Sequence, residues 1–207
     1  GMQQALNYAE MLDVPFVLEV GSQVASALCA AHDLGVLHRD VKPENLYLTD
    51  SVTGTICKLL DFSVAKAPLA EKGRRMTTGN VVFGTPYYMA PEQIDAAEIG
   101  PTADIYGLGV VLFEMLTGDV PFSGETAFDV MTHHQFTPAP RLQDVLPRLP
   151  IGLGELVDQM LEKDPLARPQ GADEVGERLA AMLEALEERH IRRLTDIEQP
   201  AGTAAYS

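Results

Sequence analysis

The residues best suited to chemistry lie in one octet, "HRDVKPEN", at positions 38–45. Pro43 fixes its own backbone angle, lacks a backbone donor and disfavours helical geometry at the preceding residue. The octet is therefore predicted to be a stiff, extended loop. Because alternate side chains of an extended chain share a face, Asp40 and Lys42 are expected to project the same way. One of them can accept a proton while the other holds an anion.

Two oxygen donors accompany this acid and base. Asn45 offers a neutral amide oxygen, and Asp61, just past the second of two strand-like runs, offers a carboxylate. Mg²⁺ is usually bound in proteins by few side-chain oxygens together with substrate phosphates. A base, a cation and two metal ligands together indicate phosphoryl transfer. For any one of these residues alone, the capping of a turn is the better interpretation, and only the combination favours the chemical one.

Helices and a hairpin are predicted around the octet. The run "FVLEVGSQVASALCAAHDLG" has apolar residues at four-residue spacing and predicts a helix that ends at Gly35. "LYLT" and "TICKLL" predict a β-hairpin whose five-residue loop is "DSVTG". "TADIYGLGVVLFEMLTG" is apolar on nearly every side, which predicts a helix buried all round and closed by Gly118. Further helices are predicted near residues 125–134, 154–163 and 172–193, so the fold class is α+β, mainly α.

Composition narrows the functional classes. The chain has 207 residues, which fits one main domain with a tail, and its 46% hydrophobic and 22% charged residues are ordinary for a globular protein. A net charge of −15 argues against a nucleic-acid binder, because phosphate backbones are held by clustered Lys and Arg. Cys29 and Cys57 lack metal-type spacing and are predicted to be core residues in a reducing compartment. With no signal peptide and no apolar run of the ~18 residues that a membrane span needs, a cytoplasmic protein is expected.

Five segments of the sequence carry a family resemblance. "HRDVKPEN", "DFS", "GTPYYMAPE", "ADIYGLGVVLFEMLTG" and "DPLARP" resemble, in this order, the large lobe of Hanks-type (eukaryotic-like) serine/threonine protein kinases. Lys42, two residues after Asp40, resembles the serine/threonine branch more than the tyrosine branch. The resemblance implies a kinase-like large lobe over residues 1–190, with a catalytic loop at 38–45 and an activation segment at 61–92. Residues 191–207 would be a tail or linker.

The resemblance also implies ATP and Mg²⁺ as cofactors and a role for each site residue. Asp40 would accept or orient the proton of the substrate hydroxyl, and Lys42 would steady the transferring phosphate. Asn45 and Asp61 would hold the metal ions, and Thr85 would bond Asp40 and Lys42. The implied nucleotide-binding residues are Lys42, Glu44, Asn45, Tyr47 and Asp61, with Tyr47 in place of the usual leucine beneath the adenine.

Several other residues have supporting roles by resemblance. His38 would brace the loop. Arg39 would receive a phosphate carried by Thr77 or Thr78, the alternative being that backbone carbonyls satisfy Arg39 and that both threonines are ordinary loop residues.

Three further residues are implied to tie the lobe together. Glu92 and Arg168 resemble a buried ion pair that joins the end of the activation segment to the late helices. Asp104 would hydrogen-bond the catalytic-loop backbone, although an ordinary acid in the first turn of a helix explains it nearly as well.

The sequence also departs from the family. The small lobe of such kinases supplies a glycine-rich lid, a lysine and a glutamate, and none of these is found, so an upstream small lobe is expected as a partner. The glycines of "GLG" at 107–109 and 152–154 lie in helical patterns and are interpreted as helix-packing or helix-start residues. Ser63 replaces the glycine of the metal motif, which narrows the backbone conformations available there.

Two classes of function follow. The first is an enzyme, part of an ATP-dependent kinase acting on Ser/Thr hydroxyls of protein substrates, with feeble activity expected of this chain by itself. The second is a pseudokinase-like binding module, and a hydrolase using the same acid and metal is a weaker third. An apolar face left without a small lobe would favour self-association.

Overall fold

A computed structural model describes residues 1–3, 6, 12–52, 54–62, 86–95 and 97–198, with side chains up to residue 193. The described helices are α1 (Val14–His32), α2 (Pro91–Ile94), α3 (Pro101–Thr117), α4 (Ala127–Phe136), α5 (Leu142–Val145), α6 (Ile151–Met160) and α7 (Ala172–Glu198). Strands β1 (Leu46–Ser51) and β2 (Gly54–Leu59) pair antiparallel, and 3₁₀ turns lie at Pro43–Asn45, Pro86–Tyr88 and Pro165–Ala167. The described part of the chain is mainly helical with one small sheet, as the sequence predicts.

Helix α3 lies at the centre of the core. Pro101 begins the helix, at a position where a backbone N–H would have no acceptor within the helix, so proline loses no hydrogen bond there. Gly118 ends the helix in the left-handed region at φ 84°. Every residue from Ala103 to Phe113 is buried. The prediction of a helix buried all round and closed by Gly118 is confirmed.

Two glycines of α3 allow close approach of neighbouring elements. A Cβ on Gly109 would lie 2.8 Å from Met160 Cβ, and one on Gly107 would lie 3.2 Å from Val41 Cβ. Helix α6 and the octet therefore pack directly on the α3 backbone, which confirms the packing role predicted for these glycines. Gly152 and Gly154 lie in the first turn of α6, as predicted.

Helix α1 packs against α3, α7 and β2. Gly21 is the point of closest contact, because a Cβ there would lie 2.9 Å from Leu112 and 3.0 Å from Leu179. Two residues further along α1, the Gln23 side chain donates to the Thr55 carbonyl and accepts from the Cys57 backbone N–H, both at 2.8 Å. A helix side chain thus occupies the free edge of β2.

The same helix passes a simple test for a membrane span. Among the described helices only α1, with 19 residues and a mean hydropathy of 1.5 in its most apolar window, is long and apolar enough to cross a membrane. The prediction that the sequence has no such run is therefore wrong on length and composition. A core helix has the same composition, and Leu18, Val24 and Leu28 of α1 are fully buried in the core. Packing accounts for its apolar character.

The β-hairpin has a shorter loop than predicted. Asp50 pairs with Thr55 and Ser51 with Gly54, which leaves two residues, 52 and 53, between the strands instead of five. Gly54 has a φ of 128°, a conformation that favours glycine. The polar residues of "DSVTG" indicated a loop, but the backbones of Asp50, Ser51 and Gly54 continue the ladder.

The remaining helices differ from prediction mainly at their ends. Helix α1 ends at His32, three residues before Gly35. Helix α4 begins after Thr126, whose side chain caps the helix by accepting from the Asp129 N–H at 3.1 Å. Helix α6 begins three residues earlier than predicted, and α7 continues five residues further, to Glu198. Helices α2 and α5, of four residues each, were not predicted, because one turn is too short to show a period.

We expect Gly109→Ala to lower the free energy of unfolding. Overpacking against Met160 Cβ costs about 1–3 kcal/mol, more than the roughly 1 kcal/mol that alanine contributes to a helix interior. Gly176→Ala in α7 is the matched control, because its Cβ would lie 3.5 Å from Ala25 Cβ, an ordinary contact. Denaturant unfolding should show Gly176→Ala as stabilising, and equal shifts for the two variants would contradict close packing at Gly109.

Candidate functional site

The octet is only partly extended. Lys42 has extended geometry at φ −161°, but Arg39 is in the left-handed region at φ 65°, and Pro43–Asn45 form a 3₁₀ turn. The prediction of a stiff extended loop is thus correct at Lys42 and wrong at the two ends. The positive φ of Arg39 costs roughly 1–2 kcal/mol and needs support from its surroundings.

Asp40 and Lys42 lie side by side. Lys42 Nζ is 2.9 Å from Asp40 Oδ2, and the two side chains are 26% and 28% exposed, in that order. The predicted projection of both residues to one side is confirmed. The pair is open to a ligand, since neither charged group is buried.

Asn45 joins this pair from the 3₁₀ turn. Its Nδ2 donates to the Asp40 backbone carbonyl at 2.7 Å and lies 3.4 Å from Asp40 Oδ2. Because the amide nitrogen is used within the loop, the amide oxygen is the atom left to coordinate a metal. Three of the predicted site residues are therefore brought together by short contacts.

Asp61 follows directly on the end of the hairpin. The Leu60 N–H donates to the Asn45 carbonyl at 2.8 Å, which continues the β1–β2 ladder by one bond and brings the chain before Asp61 next to Asn45. Asp61 is exposed and has a φ of 60°. Aspartate is one of the few residue types that enter this region readily, although at some cost in free energy.

Oxygen donors at Asn45 and Asp61 suit Mg²⁺, which prefers few protein oxygens plus phosphates. Among the residues that the structure describes, no three His, Cys, Asp or Glu side chains are grouped to hold a metal ion. A metal at this site would therefore depend on these two residues and on the phosphates of a nucleotide.

A buried carboxylate from α3 holds the start of the octet. Asp104, 2% exposed, accepts from the backbone N–H of His38 at 2.8 Å and of Arg39 at 2.6 Å. Its Oδ2 also lies 2.8 Å from His32 Nε2 at the end of α1. The prediction that Asp104 bonds the loop backbone is confirmed, and these bonds support the strained φ of Arg39.

His38 braces the octet against the hairpin. It is fully buried, and its Nε2 lies 2.8 Å from the Leu60 carbonyl. Its ring meets the Phe62 ring edge-on, with centroids 4.8 Å apart. The bracing contact predicted for His38 is present, and it ties the octet to the residue before Asp61.

The predicted ion pair between Glu92 and Arg168 is confirmed. The two side chains are bidentate at 2.7 and 2.9 Å, and both are buried. Arg168 also donates to the carbonyls of Glu162, Thr102 and Lys163. The pair anchors α2 to the base of α3 and to the segment before α7.

A tyrosine and a glutamate near the octet were missed at the sequence level. Tyr88 donates from its hydroxyl to Glu114 of α3 at 2.7 Å. Burial, together with this bond, raises the pKa of Tyr88, and burial raises the pKa of Glu114. The Tyr88 carbonyl would lie 3.4 Å from a Cβ on Gly107, so the turn Pro86–Tyr88 reaches the same patch of α3 as Val41. Neither residue has a spacing that would have revealed the pair.

Of the other predicted site residues, two are exposed to solvent and the rest lie outside the described residues. Glu44 is exposed, and Tyr47, 52% exposed, lies opposite Lys58 on the outer face of the hairpin. Ser63, Thr77, Thr78 and Thr85 lie outside the described residues.

An apolar pocket of about 400 Å³ lies elsewhere in the fold. It is lined by Leu12 and Val14 at the start of α1, by Leu116 near the end of α3 and by residues 146–149, which follow α5. Asp104 is in the first turn of α3, about 18 Å along the helix from Leu116 at 1.5 Å per residue. The pocket is therefore separate from the octet.

We expect Asp104→Asn to destabilise the fold by about 1–3 kcal/mol, because one carboxylate oxygen is replaced by a donor that faces backbone N–H groups. Asp173→Asn tests the alternative of an ordinary first-turn acid, since Asp173 is exposed in the first turn of α7. Loss of a helix-dipole contact alone costs about 0.3–1 kcal/mol. Similar unfolding free energies for the two variants would show that the loop contacts of Asp104 contribute little.

We expect Arg168→Ala to lower the free energy of unfolding by about 3–5 kcal/mol, because Glu92 would be left as a buried charge without its counterion. Arg192→Ala is the control. Its pair with Glu188 is exposed and should contribute no more than about 0.5 kcal/mol. Thermal melting measures both, and an unchanged melting temperature for Arg168→Ala would refute the role of the pair.

Comparison with known proteins identifies the family. The family model for the protein kinase domain matches residues 3–179. The serine/threonine-protein kinase pkn2 of Myxococcus xanthus is 37% identical over 79% of this chain and 20% of its own length, and PknL of Mycobacterium tuberculosis is 35% identical over 82% and 41%. The crystal structure of the Mycobacterium tuberculosis PknI kinase domain, a double mutant, superposes with a TM-score of 0.66 at 25% identity, over 88% of this chain and 62% of that one.

The chain thus spans from about a fifth to two fifths of the length of these curated relatives. The family model, in contrast, covers most of the chain and includes the octet, α3 and the Glu92–Arg168 pair. The chain belongs to the protein kinase domain family.

Proposed function

We propose that the chain is the large lobe of a serine/threonine protein kinase, which transfers the γ-phosphate of ATP to Ser or Thr hydroxyls of protein substrates. The observation that carries the proposal is the 2.9 Å contact between Asp40 and Lys42, with Asn45 bonded to the Asp40 carbonyl. The relatives described above are serine/threonine-protein kinases, which supports the same substrate class.

Each residue of the site has a role in this proposal. Asp40 accepts or orients the hydroxyl proton, and Lys42, which neutralises Asp40 when no substrate is bound, moves its charge to the transferring phosphate. Asn45 and Asp61 hold Mg²⁺, which offsets the charge that develops on the phosphates. Glu44 and Tyr47 lie towards the nucleotide, and Thr85 lies outside the described residues.

We further propose that a small lobe from another part of the protein covers the hairpin. Support comes from the outer side of the hairpin, where three large side chains are unusually exposed: Tyr47 at 52%, Ile56 at 40% and Leu60 at 41%. These residues alternate along paired strands and so share one face. The same face would support self-association where no small lobe covers it. The cytoplasmic location expected from the sequence stays a prediction.

Asp40→Asn in the full-length protein tests the proposal. Phosphate transfer to a generic protein substrate should fall by roughly 10²–10⁴-fold, the usual contribution of a general base, while ATP affinity changes little. Asp50→Asn, an exposed aspartate of the hairpin, is the control and should leave transfer unchanged. An equal loss of transfer and of nucleotide binding would instead make Asp40 a structural residue.

A further inference from the structure

A lysine outside the site described above lies partly buried against aromatic rings. Lys163 follows α6, and its Nζ lies 3.9 Å from the centroid of the Phe122 ring and 5.8 Å from that of the Tyr106 ring on α3. The residue is partly exposed, so solvent reaches part of the side chain. Neither the octet nor the proposed chemistry uses this amine.

The ammonium group of Lys163 has few acceptors. Its Nζ donates to the carbonyl of His133 in α4 at 3.3 Å, slightly longer than a usual hydrogen bond. Among the residues that the structure describes, no carboxylate forms an ion pair with it. An ammonium group has three N–H donors, so most of its capacity is met by ring faces and solvent.

A second cation belongs to the same cluster. The Arg168 guanidinium carbon lies 4.8 Å from the centroid of the Tyr106 ring, and its charge is already paired with Glu92. The Tyr106 hydroxyl lies 2.8 Å from His134 Nδ1. Burial raises the pKa of Tyr106 and lowers that of His134, so both rings are neutral. The cluster thus has no negative charge free to balance Lys163.

The charged form of Lys163 is disfavoured in these surroundings. Burial, with a further contribution from Arg168, lowers the pKa of the amine to about 8, while Glu162 opposes the shift. The face of Phe122 also opposes it, because an aromatic face attracts a cation. Lysines that are desolvated beside another cation are a recognised class of activated nucleophile.

A lower pKa increases the reactivity of an amine, because only the neutral form attacks an electrophile. At about pH 7.5 the neutral fraction is roughly 200 times that of a lysine with the usual pKa of about 10.4. Each neutral amine is less nucleophilic, and a Brønsted slope of about 0.5, as for thiols, leaves a net gain of about tenfold. The attraction of the Phe122 face reduces this gain to about fivefold.

We propose that Lys163 is a nucleophilic amine and a site of acylation by small activated acyl donors, the class that includes acyl phosphates and acyl thioesters. The neutral nitrogen attacks the acyl carbon and a C–N bond forms. The bond from that carbon to the phosphate oxygen or the thioester sulfur breaks, and the leaving group takes its electron pair and the proton lost from nitrogen. The inference does not rest on the proposed kinase function, because ATP takes no part.

The surroundings of Lys163 suit the acylated product as well. The amide is neutral, and its one remaining N–H can still donate to the His133 carbonyl. No carboxylate among the described residues would lose a counterion. Acylation of Lys42, in contrast, would break its 2.9 Å contact with Asp40.

Competitive labelling without ATP tests the proposal. The folded protein is treated with limiting acetyl phosphate, and in a second arm with acetyl-coenzyme A, and the rate at each lysine is measured by mass spectrometry. Lys58, exposed on the hairpin, is the internal comparison. At about pH 7.5 we expect Lys163 to react about fivefold faster than Lys58 with both donors. In urea the two lysines should react at equal rates, and Lys163→Arg should lose only the label at position 163.

Four results would overturn the proposal. The first is a rate at Lys163 no higher than at Lys58 in the folded protein. The second is a preference that persists in urea, since the local sequence and not the fold would then cause it. The third is a preference with one donor only, since donor binding would then select the lysine. The rate at Lys163 should level off above about pH 8, and a continued rise to about pH 10 would be the fourth. None of these results bears on phosphate transfer.

Discussion

The buried carboxylate of Asp104 is the contact on which the site depends. It accepts from two consecutive backbone N–H groups of the octet and lies against His32 at the end of α1. A carboxylate in the core is stable only when such donors surround it. The loop and the helix therefore need each other, because the loop donors satisfy the acid and the acid holds the left-handed Arg39.

Helix α3 holds both halves of the site in place. Its first turn holds the octet through Asp104, and its later turns hold the turn Pro86–Tyr88 through Glu114. Arg168 closes the arrangement, since it pairs with Glu92 of α2, donates to the Thr102 carbonyl of α3 and lies over the Tyr106 ring at 4.8 Å. Because α3 is buried on all sides, the relative placement of the two segments is set by the rigid core and not by either loop.

Periodicity and local chemistry were sufficient to predict the long helices, the hairpin and the shared face of Asp40 and Lys42. These features depend on neighbours in sequence, which a pattern can show. The resemblance added pairs that are distant in sequence, such as Glu92 with Arg168. It could not supply the positive φ of Arg39, the two-residue loop of the hairpin or the bond from Tyr106 to His134. These depend on which buried donors and acceptors meet after packing, and the sequence carries no local sign of them.

The carboxamide of Gln23 has a consequence for how the hairpin meets other chains. The Thr55 carbonyl and the Cys57 backbone N–H of β2 are both bonded by this one side chain. A peptide group of an adjoining strand would bond them in the same way. The amide of Gln23 thus imitates one unit of a third strand. At these two groups the edge of β2 is already bonded within the chain, so Thr55 and Cys57 are not available to pair with a strand of another protein.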